Sequence, residues 1–310
     1  MSKIATKVSF IIPVYNEEES LPLLHDGIVK NVGTEYEIIF IDDGSTDKSC
    51  EVVRGLHEKD NNVRLLAFRK NFGKAAALQA GFTACSGDIV ITMDADLQDE
   101  PTEIPKFIEK ISEGYDVVSG WKQKRNDPLE KRLPSKLFNA VVSKLSGVKL
   151  NDFNCGFKAY RKEVIKSINV YGELHRYIPV LAYRKGFNIT EISVLHNARQ
   201  FGKSKYGIKR YLRGFFDSLS IAYLSKYYDK PMHFFGKIGL LSGFFGFTIC
   251  SYLVVRWFMG HSIGDRPLLM LGVLLIMVGL QFFFTGLLAD ILVDRGFKNN
   301  YDEVHIKERL

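Results

Sequence analysis

The sequence predicts an α/β fold in which a doubly wound, mostly parallel sheet is followed by two membrane-spanning helices. Two observations predict the sheet: short apolar runs alternate with helical patterns, and each run ends in polar or acidic residues. A third observation predicts the spans, because long apolar segments without charge lie near the C-terminus. The 310 residues suffice for one domain of roughly 200 residues and a smaller second part.

Five apolar runs in the first half of the chain have the length and the bounding residues of buried strands. Segments with helical patterns separate them, for example "KAAALQAGFTAC" at residues 74–85. Alternating strands and helices predict crossover connections, which make the strands parallel and cover both faces of the sheet. The runs are "KVSFIIPVY" at 7–15, "YEIIFIDDGSTD" at 36–47, "NVRLLAF" at 62–68, "GDIVITMDAD" at 87–96 and "YDVVSGW" at 115–121.

Acidic sequences follow three of these strands: "PVYNEE", "DDGSTD" and "DADLQDEP". Ligands of parallel α/β sheets bind beyond the carboxyl ends of the strands, so we expect the three sequences to converge on one site. A glycine-rich phosphate loop is missing, since the sequence has neither GxGxxG after its first strand nor GxxxxGK[ST]. Acidic side chains at a nucleotide site imply that a divalent metal ion neutralises the negative charge of the phosphates.

The metal ligands are expected in "DADLQ". Asp94 and Asp96 are two residues apart, which on an extended chain puts both side chains on one face, and Gln98 continues the alternation. Oxygen ligands of this kind suit Mg²⁺ or Mn²⁺, which keep open positions for substrate phosphates. The alternative is a solvated acidic turn after a strand.

Two C-terminal segments predict a membrane hairpin. They are "IGLLSGFFGFTICSYLVV" and "PLLMLGVLLIMVGLQFFFTGLLA", and we place the spans at about 234–258 and 267–293. Buried core helices are the alternative. Basic residues lie mainly outside the two spans, in the segment before the first and the tail after the second. The positive-inside tendency therefore predicts cytoplasmic termini and a multi-pass protein of the cytoplasmic (inner) membrane.

The predicted organisation has four parts. Residues 1–202 form a cytoplasmic catalytic domain, 203–230 a juxtamembrane amphipathic helix, 231–293 the two spans and 294–310 a cytoplasmic tail. The segment at 203–230 begins with basic residues and continues with aromatic and apolar ones. This pattern suits a helix that lies in the membrane interface near anionic headgroups. No signal peptide is expected, because "VSFIIPVY" is too short for one.

Composition argues against several other classes. A net charge of +7 is compatible with nucleic-acid binding, but membrane anchoring makes that partner unexpected. The 4 cysteines form no CxxC pair and the 7 histidines show no zinc-binding spacing, so neither a disulfide scaffold nor a zinc site is expected.

Four motifs, in order and spacing, resemble those of the family 2 glycosyltransferases with a GT-A fold. They are "FIIPVYNEEESL", "IIFIDDGSTDKS", "NFGKAAALQAG" and "DADLQDEP". The later "DFNCGFKAYRKEV" and "RQFGKSKYG", with the two spans, are similar to the polyprenyl-phosphate and dolichyl-phosphate branch of that family. The resemblance covers nearly the whole chain.

The resemblance implies roles for individual residues. Tyr15 would lie close to the nucleotide base, Asp43 would bind the base or ribose, and Asp152 would lie near the reacting centre. Asp96 is expected to act in catalysis as well as in metal binding. The implied sets are Pro13, Tyr15, Glu17, Asp43 and Asp94 for the nucleotide, Asp94, Asp96 and Gln98 for the metal, and Arg199, Ser204 and Lys205 for the acceptor phosphate.

At two places the sequence matches a motif of the family only in part. Lys158 stands where the family often has arginine, and lysine cannot make a bidentate contact to phosphate. Arg256 and Trp257 resemble part of the acceptor-binding QxxRW motif of processive members, but they end a predicted span, where both residue types serve as interfacial anchors. The chain therefore looks like an enzyme that adds a single sugar.

The predicted function is metal-dependent transfer of one sugar from a UDP- or GDP-hexose type of donor to polyprenyl phosphate, with inversion expected. The partners are the nucleotide sugar, the undecaprenyl or dolichyl type of phosphate and the bilayer, and a homo-oligomer is compatible with the sequence. One alternative is a glycolipid synthase that acts on a lipid hydroxyl such as diacylglycerol. That acceptor requires a base such as Asp152, whereas a phosphate acceptor requires basic side chains. Another alternative is an inactive membrane scaffold with a transferase fold.

Overall fold

The computed structural model describes residues 7–123, 139–140, 142–144, 146–172, 174–197, 227, 230–262 and 267–297. The chain divides into two compact units, Met1–Ile221 and Ala222–Leu310. The first contains the sheet and the second contains the two long apolar helices.

The described residues of the first unit form a seven-stranded sheet with the strand order β3-β2-β1-β4-β6-β5-β7. Every strand pair is parallel except those that involve β6, which runs antiparallel to both of its neighbours. The prediction of a mostly parallel sheet is therefore confirmed. The strands are β1 Val8–Val14, β2 Tyr36–Asp42, β3 Val63–Ala67, β4 Ile89–Thr92, β5 Val117–Trp121, β6 Lys158–Arg161 and β7 Ile189–Ser193.

The five predicted strands are all present, each inside its apolar run. The strands β6 and β7 were not predicted from the sequence. β6 has only four residues, with Lys158 at its start and Arg161 at its end, and β7 is only partly buried. Neither strand shows the continuous apolar run that identified the others.

Helices cover both faces of the sheet. The helix α1 has a proline in its first turn and ends at Gly33, whose φ of 63° lies in the left-handed region that favours glycine. Short 3₁₀ turns lie at Pro101–Glu103 and Leu174–Tyr177. The helices of this unit whose bounds the structure describes are α1 Leu21–Val32, α2 Ser49–Lys59, α3 Lys74–Ala84, α4 Ile104–Ser112, α5 Lys162–Ser167 and α6 Ile178–Arg184.

Alternating residues of the strands fill two apolar layers. Phe10 and Phe40 point into a core with α1, α2 and α4, whereas Ile11 and Ile39 point into a core with α3, α5 and α6. All four side chains are fully buried. Burial on both faces explains why the sequences of these strands are continuous apolar runs.

The carboxyl ends of the parallel strands meet at one edge of the sheet. Val14 at the end of β1 pairs with Asp42 at the end of β2, which pairs with Ala67 in β3. Because β6 runs antiparallel, its first residue, Lys158, reaches the same edge and pairs with Thr92 at the end of β4. The predicted convergence of "PVYNEE", "DDGSTD" and "DADLQDEP" is therefore confirmed.

The second unit is a pair of helices, α7 Pro231–Phe258 and α8 Pro267–Phe297. Both are long and apolar enough to cross a membrane by length and composition. Large side chains such as Phe244 and Met270 are 65% and 78% exposed in the described part of the chain, which is not expected of core helices in a soluble protein. The two helices therefore fit a membrane hairpin.

Glycines allow the two helices to pack closely. A Cβ atom on Gly239 would lie 2.7 Å from the carbonyl oxygen of Gly279, and one on Gly246 would lie 2.6 Å from that of Gly272. Asp290 of α8 accepts a hydrogen bond from the backbone N–H of Met232 in the first turn of α7, at 3.1 Å. Small residues at such contacts are typical of helix pairs in membranes.

Several predictions fall on residues that the structure does not describe. The amphipathic helix at 203–230 lies outside the described residues except for positions 227 and 230. The tail at 294–310 also lies outside them, except for residues 294–297, which belong to α8. The boundaries of the four predicted parts therefore remain predictions.

Candidate functional site

Hydrogen bonds connect the loop after β1, which contains Tyr15 and Glu17, with the loop after β2. The backbone N–H of Asn16 donates to Ser45 Oγ at 2.9 Å, and its side-chain Oδ1 accepts from the Thr46 N–H at 2.7 Å. Asn16 has a φ of 56°, a left-handed conformation that asparagine tolerates better than most residues. These bonds hold the "YNEE" segment against "DGST" at the acidic edge.

Asp43 is 5% exposed and supports the loop that enters α3. Its Oδ1 accepts a hydrogen bond from the Phe72 N–H at 2.6 Å, and its Oδ2 accepts one from the Gly73 N–H at 2.9 Å. Asp43 therefore stabilises the loop before α3, a role that was not predicted from the sequence. Whether it also binds a base or ribose remains a prediction.

The segment that carries Asp94 and Asp96 is a turn, so the prediction of an extended chain is wrong. β4 ends at Thr92, and residues 95–97 turn. Leu97 has a φ of 58°, which is costly for a branched apolar residue and must be stabilised by surrounding contacts. Alternation along a strand therefore does not place Asp94, Asp96 and Gln98 on one face.

Asp99 stabilises this turn from inside the protein. Its Oδ2 accepts a hydrogen bond from the Asp94 N–H at 3.3 Å, and its Oδ1 lies 3.3 Å from Lys122 Nζ. The Asp99 side chain is fully buried and that of Lys122 is 12% exposed. Burial opposes the charged amine, but Asp99 and the other acidic groups nearby, among them Asp94 and Asp152, together outweigh burial and raise the pKa of Lys122. Lys122 is therefore a buried counter-ion of Asp99, although it begins a stretch of the sequence that is rich in basic residues.

A second set of contacts joins the turn to residues 196–197. Asp99 forms an antiparallel bridge with His196, and the Asn197 N–H donates to the Gln98 carbonyl at 3.0 Å. Asn197 Nδ2 donates to Glu100 Oε2 at 2.6 Å, and Gln98 Nε2 donates to the Asn197 carbonyl at 3.4 Å. The side-chain amide of Gln98 is thus hydrogen-bonded to the segment at residues 196–197.

Asp94 forms an ion pair with Lys74, the first residue of α3. Burial acts to raise the pKa of Asp94, but the charges of Lys74 and Lys122 outweigh it and lower the pKa to about 2. A Cβ atom on Gly156 would lie 2.6 Å from Asp94 Oδ2, so glycine is required where this carboxylate approaches the backbone. Lys74 and Gly156 were not among the residues that the sequence predicted for the site.

The side chains at this edge include oxygen donors of the kind that a divalent cation prefers. Asp94 and Asp96 supply carboxylate oxygens on a partly exposed turn beyond β4. Among the described residues, no group of three or more His, Cys, Asp or Glu could hold a metal by itself. Mg²⁺ commonly binds through one or two carboxylates together with substrate phosphates, so a two-carboxylate site suits a metal bound with a nucleotide.

Asp152 is 1% exposed and lies inside the protein. Its Oδ1 accepts a hydrogen bond from the Asn154 N–H at 3.0 Å. The side chains of Lys122 and Lys158 both experience its charge. The burial of Asp152 is more typical of a residue that positions its neighbours than of a base open to substrate, and its catalytic role remains a prediction.

A cavity of about 120 Å³ lies beside Asp94. Its wall includes Pro13, Lys74, Lys158, His175 and Arg176. Burial and the nearby charge of Lys74 lower the pKa of His175 to about 3, so this imidazole is neutral near pH 7. His175 and Arg176 were not predicted from the sequence, because no local pattern connects residues 175–176 with the strand ends.

A larger cavity of about 580 Å³ lies elsewhere in the unit, next to Tyr115, Lys149 and Ile189. Tyr115 precedes β5 and Ile189 begins β7, so this cavity lies at the amino ends of these strands, away from the acidic edge. The convergence of charged side chains therefore identifies the smaller cavity as part of the site. The predicted acceptor residues Arg199, Ser204 and Lys205 lie outside the described residues.

Comparison with known proteins identifies similar chains. The family described as "Glycosyl transferase family 2" matches residues 9–168. The dodecaprenyl-phosphate galacturonate synthase of Rhizobium johnstonii is 34% identical, over 98% of this chain and 93% of its own length. The undecaprenyl-phosphate 4-deoxy-4-formamido-L-arabinose transferase of Pseudomonas fluorescens is 37% identical, over 92% and 84%.

A solved structure shows a similar fold. The glucosyl-3-phosphoglycerate synthase of Mycobacterium tuberculosis, in complex with Mn²⁺, UDP and glucosyl-3-phosphoglycerate, superposes with a TM-score of 0.56. It covers 72% of this chain and 81% of that one at 20% sequence identity, so this likeness concerns the fold alone.

Proposed function

The chain belongs to glycosyl transferase family 2 and has the GT-A fold, and we propose that it transfers one sugar from a nucleoside-diphosphate sugar to polyprenyl phosphate. The enzyme is a glycosyltransferase. The observation that supports this acceptor is the similarity, along 92–98% of the chain, to a relative named dodecaprenyl-phosphate galacturonate synthase and to one named undecaprenyl-phosphate 4-deoxy-4-formamido-L-arabinose transferase. Two apolar helices add a means of membrane association.

Donor binding is assigned to the acidic edge of the sheet. Pro13, Tyr15 and Glu17 follow or end β1, and Asp43 directly follows β2. The nucleotide would lie across these strand ends, as ligands of open α/β sheets do. Its diphosphate would reach the turn after β4.

Asp94 and Asp96 would hold a Mg²⁺ or Mn²⁺ ion in this site. When bound, such an ion supplies Lewis-acid stabilisation to the negative charge of the departing diphosphate. Gln98 is a weaker candidate ligand, because its side-chain nitrogen donates to Asn197. Asp99 and Lys122 hold the main chain of this turn in place.

A phosphate acceptor fits the surroundings of Asp152 better than a hydroxyl acceptor does. A phosphate monoester is mostly ionised near pH 7, with a second pKa of about 6, and needs orientation rather than deprotonation. A hydroxyl needs a carboxylate base within hydrogen-bond reach. Asp152 is buried beside lysines, which supports the phosphate acceptor. Arg199, Ser204 and Lys205 are proposed to contact that phosphate.

The hairpin is proposed to hold the enzyme in the cytoplasmic membrane, with the sheet unit and both termini in the cytoplasm. The distribution of lysine and arginine outside the two spans supports this orientation. The proposed parts remain a catalytic domain at 1–202, an interfacial helix at 203–230, the spans at 231–293 and a tail at 294–310.

The experiment that tests the function is a product analysis with purified protein in nanodiscs. UDP- and GDP-sugars would each be incubated with undecaprenyl or dolichyl phosphate, and in parallel with the corresponding polyprenols and with diacylglycerol. A glycosylated lipid phosphate, detected by mass spectrometry and lost with chelator, would support the proposal. A product from diacylglycerol but none from a lipid phosphate would instead establish the glycolipid synthase.

A further inference from the structure

The loop at residues 69–73 presents a basic and aromatic surface beside the acidic edge of the sheet. It follows β3 and leads into α3, and its exposed side chains are those of Arg69, Lys70, Asn71 and Phe72. Phe72 is 58% exposed, and among the described residues of the sheet unit it is the phenylalanine most open to solvent. A ring that stands in water gains free energy when a partner covers it. The loop is therefore a candidate contact surface.

The protein holds this loop in a fixed shape. Asp43 accepts hydrogen bonds from the Phe72 N–H at 2.6 Å and the Gly73 N–H at 2.9 Å. The ring of Phe72 meets the ring of Phe68 edge to face, with 5.6 Å between the ring centroids. Phe68 in turn packs against the apolar core that contains α3. The exposed ring is thus already positioned, and little conformational entropy is lost when a partner covers it.

The two cations of the loop have no carboxylate partner in the described part of the chain. Arg69 forms no ion pair or hydrogen bond there, and the Lys70 amine lies 5.1 Å from the centroid of the Phe72 ring. Asp43, whose carboxylate contacts this loop, is buried and accepts main-chain N–H groups instead. Arg69 and Lys70 therefore favour an anionic partner.

Leu195 exposes another large apolar side chain at the same edge of the sheet. It lies shortly after β7 and is 60% exposed, and the next residue, His196, forms a bridge with Asp99 on the turn beyond β4. The strands β3 and β7 are the two outermost strands of the sheet. Phe72 follows one and Leu195 follows the other, so exposed apolar side chains lie beyond both ends of the row of strands that carries the acidic site.

We propose that the loop at residues 69–73 is a membrane contact: the Phe72 ring enters the lipid interface, and Arg69 and Lys70 bind anionic headgroups. The orientation rests on the proposed function, because the acceptor phosphate lies at the surface of the bilayer and the edge with the site must face that surface. Aromatic and basic side chains together suit such an interface. The contact holds the sheet unit close to its lipid acceptor.

The first experiment locates Phe72 in the full chain reconstituted in nanodiscs. Phe72→Trp adds a fluorophore, which lipids with brominated acyl chains quench if it enters the bilayer. Tyr183→Trp is the control, because Tyr183 is 50% exposed and lines the cavity at the amino ends of β5 and β7. The signal of the unmodified chain, which has 2 tryptophans, is subtracted. Quenching should be stronger in Phe72→Trp than in the control and should increase when phosphatidylglycerol is added to phosphatidylcholine.

The second experiment measures what the contact does for the reaction. Phe72→Ser removes the ring but keeps its main-chain N–H, and Arg69→Gln with Lys70→Gln removes both charges. The apparent KM for polyprenyl phosphate in anionic nanodiscs should rise about fivefold or more in each variant, because one basic residue near an anionic surface contributes about fivefold to partitioning. Calorimetric binding of UDP and GDP with Mn²⁺ should not change. The control with the same charge change is Lys30→Gln with Lys59→Gln, at the exposed ends of α1 and α2.

The proposal is overturned if Phe72→Trp is quenched no more than Tyr183→Trp, or if the loop variants keep the KM of the double-lysine control. It is also overturned if Phe72→Ser weakens UDP or GDP binding, because the ring would then serve the nucleotide and not the membrane. Thermal unfolding in detergent shows which variants are folded, and if Phe72→Ser is not, the variant without the two charges decides. Failure of the proposed function has a different signature: the unmodified enzyme would transfer no sugar, while the quenching comparison could still be made.

Discussion

Lys122 Nζ and Asp99 Oδ1 lie 3.3 Å apart in a buried ion pair that supports the turn carrying Asp94. Lys122 follows β5, and Asp99 lies on the turn beyond β4, with β6 between these strands in the sheet. The other oxygen of Asp99 accepts the Asp94 N–H. One carboxylate therefore connects a buried lysine with the backbone of a residue assigned to metal and nucleotide binding.

Asp99→Asn should destabilise the protein and reduce transfer together. Breaking one side of a buried ion pair typically costs about 3–5 kcal/mol, because the remaining charge stays buried. Chemical unfolding of the full chain, followed by tryptophan fluorescence, measures this loss. The double variant Asp99→Leu with Lys122→Met should recover most of the stability but not the transfer rate, because the Asp94 N–H still lacks its acceptor. Full activity in the double variant would contradict the positioning role.

Gly156→Ala should impair the site without unfolding the protein. The added methyl group would meet Asp94 Oδ2 at 2.6 Å, so the carboxylate must move away. We expect Mn²⁺-dependent nucleotide binding to fall at least tenfold, measured by calorimetry. Gly55→Ala is the matched control, since its Cβ meets nothing within 4 Å on α2. The control should gain about 0.5–1 kcal/mol of stability and keep normal nucleotide binding.

Lys74→Met should strengthen divalent metal binding when nucleotide is absent. Lys74 forms an ion pair with Asp94 and so competes with a metal ion for the same carboxylate. Electron paramagnetic resonance of free Mn²⁺ measures this affinity directly. Lys59→Met, at the end of α2, is a control with the same charge change away from the site. Equal or weaker Mn²⁺ binding in Lys74→Met would show that the two cations do not compete.

Glu37 should make stability depend on pH in the acidic range. Burial opposes its ionisation, but hydrogen bonds from Ser9 and Ser86 and the charge of Lys7 outweigh burial and lower the pKa of Glu37 to about 2. A folded pKa below the unfolded value contributes stability above the unfolded pKa of 4.5, and this stability is lost as pH falls towards 2. At neutral pH the contribution is roughly 3 kcal/mol.

Glu37→Gln tests this effect in urea unfolding at a series of pH values. The variant should be less stable near neutral pH and should show a shallower loss of stability between about pH 5 and 2 than the unmodified chain. Glu58→Gln, on the exposed surface of α2, is the control. Parallel curves for Glu37→Gln and the unmodified protein would contradict the assignment.

Gly239→Ala and Gly243→Ala should differ although they lie one turn apart on α7. A Cβ on Gly239 would lie 2.7 Å from the Gly279 carbonyl oxygen, whereas one on Gly243 would meet nothing within 4 Å. We expect Gly239→Ala to separate the helices and lower the melting temperature in detergent by several degrees, with Gly243→Ala close to the unmodified protein. Nucleotide binding should be unchanged in both. Equal melting temperatures would mean that the helices do not pack through Gly239.

The sequence by itself determined the strands with continuous apolar runs, the acidic residues at their carboxyl ends, the two long apolar helices and the family. These features are local: burial on both faces requires an apolar run, and a bilayer requires a long charge-free helix. The parallel order then brings the acidic ends to one edge, so that Asp43 and Asp94 could be assigned to a site before any coordinates were known.

Only the tertiary structure decided how that edge is built. The turn at 95–97 replaces the extended chain that alternation predicted, because contacts with Asp99, Lys122 and Asn197 outweigh local preference. The short antiparallel strand β6 brings Lys158 next to Thr92, and a distant 3₁₀ turn adds His175 and Arg176 to the cavity. Ion pairs and cavity walls are formed by residues that lie far apart in the chain. The periodicity within a single segment therefore does not predict which of these residues meet.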